Sequence, residues 1–357
     1  MKAENMIGHF QISGQVSEIR PYGNGNINDT FRVETVDGAY LLQRVNTEVF
    51  KVPEEVQSNI ERVTAYLKEQ IIRENGDPRR ETLTPVPCTG GGTGYRDESG
   101  RFWRVFTFID NTRSCSQPAS LSELVETGLA FGRFERRLSG FPADSLYETI
   151  PAFHDTPARV QQMLTAANRD ACGRKANVLP ELRMLTDRKD RADLFVKAFE
   201  DGRIPRRVVH NDTKTANALL DAETGRAICV CDLDTVMPGF AAYDFGDGIR
   251  SGASTAAEDE PDLTKVSLSL EKAGAFARGY LEEVGGVLTK DERELLPDGI
   301  WMITYEQAMR FLADYLNGDT YYKTAYAEHN LVRTRNQITL LREIEGKEAD
   351  LRQMISG

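Results

Sequence analysis

The chain has 357 residues, with 55 acidic against 44 basic side chains, a formal net charge of −11 and 40% hydrophobic content. It is too long for one ordinary core and suits two lobes sharing a cleft, and its acidity disfavours nucleic acid and anionic membrane as partners. No basic segment followed by an apolar run opens the sequence, and no stretch is long and apolar enough to span a bilayer, so a cytoplasmic location is expected.

The first third carries strand signals. Phe10 to Ile19 alternates, while Phe31 to Val36 and Ala39 to Val45 flank Asp37-Gly38, a pair suited to a tight hairpin turn. Pro21 to Thr30 reads as a loop. Pro53 opens a helix whose Val56, Ile60, Val63, Leu67 and Ile71 recur at three- and four-residue steps, which predicts a buried stripe packed on the sheet. After a Pro- and Gly-rich break from Pro85 to Gly94, Tyr95 and Arg101 to Asp110 form a further strand pair turned at Asp97-Glu98-Ser99-Gly100.

From Ala119 onward the pattern becomes helical, with periodic runs at Leu121 to Leu138, Ala158 to Ala167, Arg191 to Phe199 and Leu263 to Val284. Thr289 stands three residues ahead of Glu292, a capping-box start for a helix running toward Leu316, and Asn330 to Met354 predicts a final helix. The expected fold class is α+β: a small antiparallel-sheet lobe with one main helix over residues 1–110, then a larger, mostly helical lobe over residues 111–357. Five scattered cysteines, Cys88, Cys115, Cys172, Cys229 and Cys231, lack metal-site spacing and are expected to be free and mostly buried.

The chemistry concentrates between His210 and Asp234. Val208-Val209-His210-Asn211-Asp212-Thr213-Lys214-Thr215-Ala216-Asn217 has the form H-x-D-x-x-x-x-N, and fifteen residues after Asn217 the apolar strand Ala227 to Cys231 ends at Asp232-Leu233-Asp234. Phosphoryl transfer brings these residue types together, because a carboxylate must orient and deprotonate the attacking hydroxyl while an amide and a second carboxylate hold magnesium. Asp212 fits the base, and Asn217 and Asp232 fit the ligands of a hard cation that prefers oxygen. Lys214 is placed to stabilise the transferred phosphoryl group, with a solvated loop lysine as its alternative. His210 reads as a brace for the loop. Gly23 and Gly25 lie between strands where backbone amides can approach phosphate, and the chain has no G-x-x-x-x-G-K-[ST] motif, which excludes a P-loop kinase.

This order of parts resembles the aminoglycoside phosphotransferase and choline kinase superfamily, relatives of protein kinases with a two-lobed fold. Within it the chain is most similar to the bacterial N-acetylhexosamine 1-kinases, through His210-Asn211-Asp212-Thr213-Lys214, Asp232-Leu233-Asp234-Thr235, Phe245-Gly246-Asp247, Met309 to Leu316 and Glu328 to Arg335. The resemblance implies phosphorylation of the anomeric hydroxyl of an N-acetylhexosamine with ATP and Mg2+. It implies Asp212 as base and acceptor contact, Asn217 and Asp232 on the metal, and Arg310 and Tyr321 lining the sugar pocket.

For the nucleotide it implies contacts around Gly23, Gly25, Asn28, Thr30 and Gln43, with Phe108 and Ile109 as the hinge. One departure stands out: relatives place a lysine on the strand after the Gly-rich loop, where this chain has Gln43, so either Gln43 meets phosphate uncharged or Arg44 substitutes. Glu61 would ordinarily pair with that lysine, and Asp244 and Asp247 would brace the catalytic loop. A kinase of another alcohol (an aminoglycoside, choline, homoserine or a different sugar), a nucleotide-binding protein without turnover, and a protein kinase are the competing readings.

Overall fold

The computed structural model describes residues 3–23, 27–114 and 120–356. Its first sheet is antiparallel: β1 (Val16–Pro21), β2 (Asp29–Thr35) and β3 (Gly38–Val45) follow one another, with α1 (Pro53–Arg73) before β4 (Gly94–Arg96) and β5 (Phe102–Thr107). The strand order β1-β2-β3-β5-β4 makes β3 the centre. The β2–β3 turn falls on Val36-Asp37, one residue earlier than the glycine suggested. Only Val16 onward pairs as a strand; Phe10 makes a lone bridge to Cys88, because Ile7 and Phe10 are drawn under the sheet into a small apolar cluster with Val33, Leu42, Trp103 and Val105.

Pro at the first helical position starts α1, and its predicted stripe of Val56, Ile60, Val63, Leu67 and Ile71 is buried throughout. That stripe does more than cover the sheet. It joins one continuous apolar cluster that contains Val45, Phe102 and Phe106 from the sheet and Ala130, Phe134 and Leu233 from the helical part, so α1 is wedged between the two. Asn59 on the same helix is fully buried; its Nδ2 donates to the carbonyls of Tyr147 and Val236, and its Oδ1 accepts from the Tyr147 amide.

The rest of the chain supplies β6 (Thr112–Arg113), α2 (Leu121–Leu138), α3 (Thr156–Arg169), α4 (Leu179–Thr186), α5 (Leu194–Glu200), β7 (Arg207–Val209), β8 (Ala218–Asp221), β9 (Ala227–Val230) and β10 (Met237–Gly239). Then follow α6 (Ala241–Gly252), α7 (Leu270–Val284), α8 (Lys290–Asn317), α9 (His329–Gly346) and α10 (Glu348–Ser356). The Thr289–Glu292 capping box closes as expected, with Thr289 and Glu292 each accepting from the other's backbone amide. Two short ribbons, β7–β10 and β6–β8–β9, carry the Asp212 and Asp232 segments on a helical base.

Two helical expectations need correction. The run from Leu263 makes one 3-10 turn over Leu263–Lys265 and becomes α-helical only at Leu270; between them Val266 and Leu268 are buried as a loop anchored on the core, which gives apolar spacing without a continuous helix. The last helix breaks at Lys347, whose Nζ is drawn to the Leu268 carbonyl and to Glu343. Among the described residues no helix is long and apolar enough to cross a membrane. Cys88, Cys172, Cys229 and Cys231 are free, with Cys172 exposed, and Cys115 lies outside the described residues.

Candidate active site

Backbone geometry aims the loop over residues 210–217 before any side chain acts. Asn211 (φ 62°) and Asp232 (φ 62°) both occupy the left-handed region, which turns each chain sharply at the end of a short strand. The turn at Asn211 is held from below: the buried Asp244 carboxylate accepts from the amides of His210 and Asn211, both at 2.6 Å, and the Thr213 hydroxyl donates to the Asp244 carbonyl. His210 Nε2 donates to the Cys231 carbonyl at 2.9 Å and Thr235 Oγ1 donates to the His210 carbonyl, so the imidazole ties the loop to the strand that ends at Asp232. Burial pushes the Asp244 carboxyl up to about 6, against the nearby His210 and the two amides that lower it.

With that frame set, three predicted residues converge. Asp212 Oδ2 accepts from Lys214 Nζ at 2.7 Å and from Asn217 Nδ2 at 3.0 Å. Burial alone would raise Asp212, but the Lys214 charge and hydrogen bond outweigh it and hold the carboxyl below its ordinary value. Lys214 is raised in turn, first by Asp212 and also by Asp232, which places both carboxylates around one ammonium. Asn217 spends its Nδ2 on Asp212, leaving its Oδ1 as an open acceptor, and the Asp232 carboxylate accepts no hydrogen bond among the described residues. Though solvent reaches Asp232, the protein around it and the adjacent Asp234 push it up to about 6. One carboxylate and one amide oxygen with free lone pairs suit a hard divalent cation whose other positions are filled by phosphate and water.

Asp234 has a different task. Its Oδ2 accepts from Asn28 Nδ2 at 2.6 Å, and its Oδ1 lies 2.5 Å from Arg104 Nη2, so the sheet grips the large lobe at this residue. Arg104 was missed by sequence reasoning. It lies opposite Gln43 in the β3–β5 register, is 1% exposed, donates from Nε to Gln43 Oε1 at 3.0 Å, and its Nη1 has no hydrogen-bond partner among the described residues. A lone charge inside Phe102-Trp103-Arg104-Val105-Phe106 was the available signal, since a buried guanidinium demands a partner. Gln43 Nε2 donates to Thr30 Oγ1, whereas Arg44 turns to Asp29 on the other face and does not stand in for the lysine. Glu61 accepts from the Thr93 hydroxyl instead of a cation.

The remaining nucleotide candidates are placed unevenly. Asn28 bridges to Asp234 and also accepts the Asn46 amide, and Gly23 has φ +72°, which favours glycine; Gly25 lies outside the described residues. The Phe108 amide donates to the Ala39 carbonyl, so that hinge donor is already engaged, and its ring carries the Arg32 guanidinium at 4.0 Å. Ile109 is buried, and its carbonyl accepts from Thr112.

Beyond Asp212 opens a cavity of about 550 Å³ lined by residues that include Asp212, Lys214, Arg310, Tyr321 and Tyr322. Asp314 does not pair with Arg310; its Oδ1 accepts the amides of Thr320 and Tyr321 and its Oδ2 accepts the Tyr322 amide and Asn330 Nδ2, which folds the loop after α8 into the cavity wall. Arg310 is thereby released to sit over Phe153, Tyr321 and Tyr322, with ring distances of 4.9, 5.8 and 5.7 Å.

Residues 18–280 match the APH phosphotransferase enzyme family. The chain belongs to that family. This small-molecule kinase is similar to an aminoglycoside phosphotransferase from Alicyclobacillus acidocaldarius, with a TM-score of 0.60 at 12% identity, covering 99% of this chain and 96% of the other. A spectinomycin phosphotransferase solved with ADP and spectinomycin gives 0.60 at 13% identity, with 97% of each chain covered. Choline kinase from Cryptosporidium parvum gives 0.55 at 14% identity, with 96% of this chain and 94% of the other covered. At such identities the shared feature is the fold. In the phosphotransferase, Glu306 is a further cavity residue that sequence reasoning missed: its Oε2 lies 2.7 Å from His154 Nδ1 and its Oε1 accepts from Thr156.

Proposed function

We propose that this phosphotransferase transfers the γ-phosphoryl group of ATP to the anomeric hydroxyl of an N-acetylhexosamine. The observation that carries the reading is the charge of the acceptor cavity. Its lining has six cationic side chains against four carboxylates in a chain of net charge −11. Of those carboxylates, Asp212 sits on Lys214, Asp247 and Glu258 sit on Arg250, and Glu306 sits on His154. An aminoglycoside or ethanolamine needs open carboxylates to meet its ammonium groups, and the cavity offers none among the described residues; the aromatic faces that could take the quaternary ammonium of choline already carry Arg310. A ring with many hydroxyls suits it better: Arg310 presents a planar fork of donors, and the half-exposed Tyr321 ring can cover an apolar sugar face.

Asp212 accepts a hydrogen bond from the sugar hydroxyl and takes its proton as the oxygen attacks γ-phosphorus and the bond to the β–γ bridging oxygen breaks. Its depressed pKa keeps it ionised for that contact. Lys214 and the Arg104 guanidinium supply the positive charge the phosphates require, with Thr30 and Gln43 beside them. Asn217 and Asp232 would hold magnesium, which when bound neutralises charge on the β- and γ-phosphates.

An acceptor screen with coupled detection of ADP tests the assignment. N-acetylglucosamine-type or N-acetylgalactosamine-type sugars should turn over while choline and kanamycin do not; the reverse pattern would sink it.

A further inference from the structure

The acceptor cavity carries more positive charge than a neutral sugar requires. Arg310, Arg333, Lys272 and Lys323 all line it, and none has a carboxylate within 4 Å among the described residues. The acids nearby are occupied: Glu258 and Asp247 by Arg250, Glu306 by His154 and Thr156, and Asp314 by backbone amides.

Arg310 and Arg333 also share one aromatic cluster. Arg333 sits over Phe311 at 5.5 Å, Phe311 lies 4.7 Å from Tyr322, and Tyr322 carries Arg310 on the cavity side. The rings offset part of each charge through their faces and leave the in-plane N–H donors to other partners. Arg310 spends one such donor on Gln307 at 3.3 Å; Arg333 spends Nη1 on the Lys323 carbonyl at 3.2 Å and on Asn330 Oδ1 at 3.3 Å, and its Nε is buried without a partner among the described residues. Behind the wall the half-buried Arg159 has no carboxylate within 4 Å among the described residues either; its donors go to the Phe153 carbonyl and Gln162 Oε1, and burial and then the Arg310 charge lower its pKa. Proteins seldom keep such a group of half-buried cations together unless something anionic joins them.

We infer that the acceptor bears a carboxylate or phosphate on the side of its ring remote from the reacting hydroxyl, so that Asp212 meets the anomeric oxygen while the Arg310–Arg333 wall binds an acidic N-acetylhexosamine. This rests on the sugar 1-kinase reading above. It assigns the wall as the specificity element of the cavity: the guanidinium forks take the anion, and Lys323, on the exposed loop before α9, adds charge at the entrance.

The test compares N-acetylglucosamine, its 3-O-lactyl ether N-acetylmuramic acid, and its 6-phosphate as acceptors for the intact chain, by ADP release. At least one acidic sugar should exceed the neutral sugar in kcat/KM by about tenfold, and that advantage should shrink as ionic strength rises from about 20 to about 300 mM. Arg333→Met should cut the acid-to-neutral ratio by about tenfold; Lys323→Met, on an exposed loop where folding is not at stake, should cut it severalfold. Preference for the neutral sugar over both acidic ones, or a ratio indifferent to salt and to both substitutions, would overturn the inference and leave the sugar 1-kinase reading standing. Turnover of choline or kanamycin with none of the three sugars would instead remove that reading, and the inference with it.

Discussion

Gln43 and Arg104 face each other across β3 and β5, and the guanidinium that donates to the Gln43 amide also reaches Asp234 in the other lobe. In the proposed reaction the positive charge expected on the strand after the Gly-rich loop comes instead from Arg104, one strand sideways. Arg104→Met should raise KM for ATP about tenfold and lower kcat by about a hundredfold, the scale of losing one preorganised charge beside the transferred phosphate. Adding Gln43→Lys to that variant should recover part of the loss. Steady-state kinetics with ATP varied decide it: unchanged kcat/KM for ATP in Arg104→Met would take the residue out of phosphate binding.

Why Arg104 escaped sequence reading is instructive, because the surrounding fold was largely legible. The central strands, α1, α2 and the Thr289 cap follow from periodicity and from Pro or hydroxyl residues at helix starts, which are local signals. What failed was non-local. Helix α6 was unpredicted because Gly246, Gly248 and Gly252 weaken helix propensity; the structure needs Gly246 where α6 crosses α8, since a Cβ there would stand 2.3 Å from the Gly299 carbonyl oxygen. The Asp212 segment was readable from spacing alone, whereas the partners of Asp234, on β5 and in the loop before β2, lie more than a hundred residues away in sequence.

Asn59 should behave as a structural weld rather than a surface amide. Its side chain makes three hydrogen bonds to backbone groups of Tyr147 and Val236, with no exposure to solvent. Asn59→Ala would leave the buried Val236 carbonyl and two partly buried backbone groups of Tyr147 without this partner, so it should cost about 2–3 kcal/mol of stability in urea denaturation. The same variant should lower kcat, because Val236 lies two residues after Asp234. A loss below about 0.5 kcal/mol, the level of an ordinary surface change, would show that the lobes are joined elsewhere.

Asp212 separates catalysis from binding. Its carboxylate touches Lys214 and Asn217, and in the proposed reaction it takes the acceptor proton. Asp212→Asn should reduce kcat by about a thousandfold or more while affinity for an ATP analogue, measured by calorimetry, changes little. Equal turnover in the variant would remove Asp212 from the role of base, and equal losses of turnover and nucleotide affinity would make it a structural residue.

Asp244 links the catalytic loop to pH through stability. Burial raises its carboxyl from an ordinary 3.8 to about 6, so between those values the folded chain holds a proton that the unfolded chain has released. Its contribution to stability is thus fully present below about pH 4 and is lost as pH rises through 6. At neutral pH the site tolerates a buried charge because two backbone amides, of His210 and Asn211, donate to it. Asp244→Asn has no such titration and offers one acceptor oxygen where the amides need two. The variant should be less stable than the parent at pH 7.5, and the gap should widen by about 1 kcal/mol at pH 5, where the parent gains from proton uptake. Urea denaturation of both proteins at the two pH values measures this directly, and a gap that narrows toward pH 5 would mean that Asp244 titrates in the fold no higher than a free carboxyl.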